Sequence, residues 1–146
     1  MLTSECYHYI LDEQGNPVPE YNTLVWGKWF EENINNRRVG NTSFGDINVS
    51  TVFLSVVHQS NTNLENDRPM LYETMVFASE DIIKRLLELS ERDDRSIIAS
   101  IFGGFDIQRR YATKTEAQAG HEQMCVFIET CMSNGLLEGT GANYVD

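Results

Sequence analysis

Apolar positions along this chain recur with two periods, one of two residues and one near 3.6, and the switches between them mark out strands and helices. Tyr7-His8-Tyr9-Ile10-Leu11 is rich in strand formers and runs into Asp12-Glu13-Gln14-Gly15-Asn16-Pro17, a cluster of turn residues. After Pro19, Asn22 or Thr23 is placed to cap a helix in which Val25, Trp26, Trp29 and Phe30 recur at helical spacing; Asn33 to Asn36 end it. Arg37 to Thr42 and Ile47 to His58 flank Ser43-Phe44-Gly45-Asp46 and predict a hairpin. In its second arm Val49, Thr51, Phe53, Ser55 and Val57 point one way, and Ser50, Val52, Leu54, Val56 and His58 the other. Apolar residues on both faces predict a central strand. Gln59 to Asp67 is a polar loop, and Met70 to Phe77 is a second central strand.

The last third of the chain carries the clearest junction. Phe105 to Ala112 reads as a strand, and Thr113 and Glu116 then have the spacing of a capping box, in which each side chain satisfies a backbone donor of the helix start. Ala117, His121, Met124, Ile128 and Cys131 follow as a regular stripe that faces the sheet, while Gly120, about 1 kcal/mol worse than alanine in a helix, points to close backbone approach. Between the two halves, Ser79 begins a helical excursion over 79–104, with Glu80 and Asp81 in its first turn and Ile97-Ile98-Ala99-Ser100-Ile101-Phe102 as a second apolar piece. The expected order is β-α-β-β-β, excursion, β-α. Short connections make this an α+β fold of two layers, a mostly antiparallel sheet with helices packed on one face. Residues 1–135 form a single domain, and the Gly-rich residues 136–146 are expected to be a flexible tail.

Composition narrows the function classes. The 146 residues suffice for one core, and 22 acidic against 11 basic residues give a formal net charge of −11. Direct binding to nucleic acid needs cations to neutralise phosphates and is therefore not expected. No apolar run is long enough to span a membrane. Met1 to Cys6 lack the basic start and apolar block of a secretory signal, so a cytoplasmic setting is expected. The cysteines at 6, 125 and 131 lack Cys-x-x-Cys spacing and read as reduced packing residues, so neither a metal nor another cofactor is expected.

Candidate chemistry centres on His121. With Glu73 and His58, and with Arg109 or Arg110 as a cation nearby, it would make an acid/base pair or a zinc-type ligand set, provided strands and helix converge. The commoner role of an inward histidine on an apolar stripe is a satisfied core residue. Glu73 shares a face with Leu71, Met75 and Phe77 and must find a partner or an opening to water. Trp26 and Trp29 could stack a base or a sugar, or simply anchor their helix on the sheet. Within Arg37-Arg38 and Arg109-Arg110, one of each pair could hold a phosphate or carboxylate, or else bridge to the many acids. No Gly-x-Ser-x-Gly turn or Gly-rich phosphate loop accompanies the hydroxyl residues.

Tyr9-Ile10-Leu11-Asp12 with Gly15-Asn16-Pro17, Trp26 to Glu31, Arg37-Arg38-Val39, Val49 to Leu54, Glu73 to Phe77, and Arg110-Tyr111-Ala112-Thr113 through Gly120-His121 stand in an order that resembles a family of small uncharacterised proteins of tailed phages and prophages. The resemblance covers most of residues 7–125; residues 79–104 depart from it, the family's connection there being shorter. It implies a phage origin and the host cytoplasm, and brings no catalytic residues with it. The expectation is a non-enzymatic accessory protein that binds a host macromolecule, such as a protein, or a small ligand, in host takeover or counter-defence. The alternatives are an enzyme using His121 and Glu73 and a minor virion component.

Overall fold

A computed structural model of the chain describes residues 7–57, 62–63, 68–91 and 107–138. Its elements are strands β1 (Tyr9–Leu11) and β2 (Pro17–Pro19), helix α1 (Thr23–Glu32), strands β3 (Arg38–Phe44) and β4 (Ile47–Phe53), the two-residue strands β5 (Thr62–Asn63) and β6 (Arg68–Pro69), strand β7 (Tyr72–Phe77), helix α2 (Glu80–Glu91), strand β8 (Arg109–Tyr111) and helix α3 (Lys114–Ser133). The central sheet has the order β3-β4-β7-β8, every pairing antiparallel, with β1-β2 and β5-β6 as separate two-stranded ladders. This is the expected α+β fold with helices on the sheet. Among the described residues, no helix is long and apolar enough to cross a membrane.

Local chemistry explains the turns. Asp12 closes the β1–β2 hairpin by accepting from the backbone N–H of Gln14 at 3.0 Å and of Asn16 at 2.8 Å. Asn22 caps α1 by accepting from the N–H groups of Leu24 and Val25. The β3–β4 hairpin turns through Gly45-Asp46, and Gly45 supplies a φ of 61°. The expected capping box is in place at α3: Thr113 Oγ1 accepts from Glu116 N, and the Glu116 carboxylate accepts from Thr113 N, both at 3.1 Å.

Strand alternation sorts the side chains. Ile47, Val49, Thr51 and Phe53 of β4 are buried and face α3, as do Tyr72, Thr74 and Val76 of β7. Val52, Glu73, Met75 and Phe77 occupy the other face, where Phe77 is exposed. The core has two parts. One is mainly aliphatic, joining Ile47, Val49 and Val76 to Ile82, Leu86 and Leu89 of α2 and to Met124, Phe127 and Ile128 of α3. The other is aromatic, built on Phe53, Tyr72 and Tyr111 with Trp29 packed against them.

Four expectations need correction. The strand after Ile47 stops at Phe53 instead of continuing toward His58, because Ser55 takes a φ of 62° and turns the chain; beyond it Val56 bridges to His8. Pro17, read as the end of a turn, begins a strand, Pro17–Pro19, that pairs with β1, since proline tolerates an edge position. Thr62–Asn63 and Arg68–Pro69, placed in or beside a loop, pair with each other. The start of the supposed tail is core: Gly135, at φ 67°, lets Gly135 N donate to Met132 O and Leu136 N to Cys131 O, and this Schellman turn tucks Leu137 into complete burial. The second apolar piece of the excursion, and residues 139–146, lie outside the described residues.

Candidate functional site

The inward stripe of α3 sets its histidine over the middle of the sheet. Gly120 makes this possible: its backbone meets the Tyr111 ring so closely that a side chain at 120 would collide with the Tyr111 hydroxyl. On the opposite strand Gly40, at the end of a bulge in β3, plays the same part, since a Cβ there would lie 2.9 Å from the His121 ring. Two glycines from distant segments thus seat the imidazole.

Once seated, the ring is fully engaged. His121 Nδ1 lies 2.8 Å from Thr51 Oγ1, and Nε2 lies 2.9 Å from Thr42 Oγ1. Thr51 in turn meets Thr74, its cross-strand partner, at 2.6 Å. The neutral ring has one donor and one acceptor, and hydroxyls supply either role, so the chain Thr42–His121–Thr51–Thr74 satisfies itself whichever nitrogen carries the proton. Burial lowers the His121 pKa below the usual histidine value, against the opposing charge of Glu122. Cys125, one turn along, is hydrogen-bonded to Thr42, yet burial holds its thiol above the ordinary range. Burial pushes Cys131 up to about 12, so neither thiol is an activated nucleophile.

Glu73 lies on the far face of β7 from this seam. Its Oε2 accepts from Arg110 Nε at 2.8 Å and from Gln108 Nε2 at 3.1 Å, and Arg110 is its cross-strand partner. The buried carboxylate has found its cation, as the sequence required. His121 and Glu73 therefore sit on opposite sides of one sheet and do not form a proton-transfer pair. His58 lies outside the described residues, and among the described residues no three His, Cys, Asp or Glu side chains gather as metal ligands would. Arg109 donates to Gln123 at 2.7 Å on the α3 side. Trp26 is an anchor: it stacks between His8 and Phe30, at 4.4 and 5.1 Å between centroids, and donates Nε1 to the Ser55 carbonyl at 3.2 Å.

What the spacing of residues did not reveal is a cavity of about 280 Å³ at the aromatic end of the core. Its floor is Trp29, Phe53 and Tyr72 with Leu11 and Val39. Its rim is polar: Asp12 and Glu13 from the β1–β2 turn, Asn33 and Asn36 after α1, and Lys114 at the start of α3. Tyr72 is 1% exposed, and its hydroxyl finds no hydrogen-bond partner among the described residues. The signal in the sequence was indirect, two polar turn clusters each adjoining large apolar residues, and no period ties one to the other. Comparison of the chain with protein-family models, with curated proteins and with solved structures finds no match.

Proposed function

We propose that this chain is a small phage-encoded accessory protein that works by binding, without catalysis, in the host cytoplasm, and that the aromatic cavity is where it binds. The order of the blocks from Tyr9 to His121 supports the phage assignment, and host takeover or counter-defence is the category that suits a module of this size. The single observation that carries the binding reading is the cavity: an aromatic floor under a ring of polar groups is the usual make-up of a ligand site. The buried histidine supports the same reading from the other side, because both its nitrogens are already held by threonines and Glu73 lies on the opposite face of the sheet. The acidic balance of the chain disfavours a nucleic-acid target.

Thermal unfolding in the presence of a panel of small aromatic, amide and amine compounds tests the proposal. A true ligand at a hundred times its Kd stabilises the fold by about 2.7 kcal/mol, and that shift disappears in Trp29→Ala. A catalysed reaction abolished by His121→Gln would overturn the binding-only reading.

A further inference from the structure

The rim of the cavity has an uneven supply of hydrogen-bonding groups, and this identifies the kind of ligand. Asn33 is used up locally: its Nδ2 donates to the Trp29 carbonyl at 2.8 Å, and its Oδ1 accepts from Asn36 Nδ2 at 2.7 Å. That bond leaves Asn36 with a carbonyl oxygen to offer. Asp12 spends Oδ1 on the two turn amides and keeps Oδ2. Glu13 is exposed, with no partner among the described residues. At the start of α3, Thr113 and Glu116 take each other's backbone donors, which removes two of the N–H groups an anion could use. Lys114 alone in the rim carries positive charge.

Resting on the reading of the cavity as a binding site, we infer that its occupant is the cationic side chain, guanidinium or ammonium, of a basic peptide segment on a partner protein. Two carboxylates and an amide oxygen accept from such a head, and the half-buried Trp29 ring attracts it through its quadrupole, with Phe53 and Tyr72 buried beneath. A volume of about 280 Å³ falls just below the usual range of ligand cavities, roughly 300–1,000 Å³, and suits one side chain better than a whole cofactor. A phosphate would meet Asp12 and Glu13 with like charge. The net charge of −11 draws a basic segment in from a distance and makes its capture salt-dependent. Lys114 sets the polarity of the site by repelling the cation toward the Asp12–Glu13 side.

Titration of the full chain with a capped peptide centred on arginine, followed by tryptophan fluorescence and calorimetry, tests this. The control peptide carries citrulline, which keeps the shape and loses the charge; inorganic phosphate is the third probe. The arginine peptide is expected to bind at least tenfold more tightly than the citrulline peptide. Glu13→Gln, a change at an exposed turn, should weaken it severalfold, Lys114→Gln should strengthen it, and Trp29→Phe should remove the fluorescence change. Equal affinity for the two peptides overturns the cationic ligand while leaving the cavity a binding site. Competition by phosphate overturns it in favour of an anion. No perturbation of Trp29 by either peptide or by any compound of the panel overturns both readings together.

Discussion

The two halves of the core lie on either side of the His121 seam and are finished to different standards. On one side α2 and the C-terminal half of α3 close over mainly aliphatic side chains: Ile47, Val49, Leu86, Ile128 and Leu137, with Phe127 among them, are all fully buried. On the other, a hairpin of two three-residue strands and a helix without a single buried residue cover an aromatic cluster. The buried polar atoms without a partner among the described residues, Arg37 Nε, Ser55 Oγ, Tyr72 OH and Tyr111 OH, all belong to that second side. Arg37 lies 3.7 Å above the Phe30 ring, and the Ser55 carbonyl receives Trp26, so both border the His8–Trp26–Phe30 stack at this end of the molecule. Buried polar groups are nearly always satisfied in folded proteins. Of the four residues Tyr72 lines the cavity; the concentration of exceptions in this half marks it as the part of the molecule where stability has been left incomplete, and the aliphatic half is what holds the fold meanwhile.

The largest test of that division is truncation on the aliphatic side. Phe127→Ala empties the centre of the packed half and should cost about 3–5 kcal/mol in urea unfolding. Trp29→Ala, which enlarges an existing hollow under a half-buried ring, should cost clearly less. Equal losses would mean that the two halves contribute alike and that the cavity is ordinary packing.

The seam between them gives an intermediate effect. Thr51→Val keeps the shape of the side chain but leaves both His121 Nδ1 and Thr74 Oγ1 short of a partner, and should cost about 1–3 kcal/mol. The same seam predicts an acid response. Burial depresses the folded-state pKa of His121, so on acidification the unfolded chain takes up the proton first. Stability contributed by the neutral ring is complete above the unfolded value of about 6.5 and falls as pH drops below it, levelling once the folded ring itself titrates. The groups facing the ring from β3, β4 and β7 are the hydroxyls of Thr42, Thr51 and Thr74, and the nearby charge is Glu122 on its own helix. Unfolding midpoints between pH 7 and 5.5 check this, and His121→Gln should flatten the slope.

Much of this architecture was legible because it is local or periodic. The capping box at Thr113, the stripe from Ala117 to Cys131 and the awkward Gly120 identify α3, its inward face and its close approach, and the structure places each accordingly. The central position of β4 and β7 followed from apolar residues on both faces. What escaped depended on single backbone conformations or on distant meetings. Ser55 in the left-handed region ends β4, yet nothing about a serine announces a positive φ. Whether Glu73 meets His121 or Arg110 turns on register, and a shift of one residue would move the carboxylate to the other face. The cavity needs Asp12, Trp29, Phe53 and Lys114 at one place, and only the tertiary fold brings them there.

The smallest expected effect is the sharpest test of the comparison. Tyr72→Phe and Thr51→Val each remove one buried hydroxyl from neighbouring strands while keeping the shape of the side chain. The Thr51 hydroxyl sits between His121 and Thr74, whereas that of Tyr72 has no partner among the described residues. Removing a group that makes no hydrogen bond orphans nothing, and it lifts the desolvation cost of a buried hydroxyl. Tyr72→Phe should therefore leave the unfolding free energy unchanged, or raise it by up to about 1 kcal/mol. A loss as large as that of Thr51→Val would show that the phenol is held by an ordered water or another group, and the aromatic half would then be as complete as the aliphatic one. A neutral result places the unspent hydrogen-bonding capacity of the molecule where the cavity is, on the side that the aliphatic core leaves free to bind.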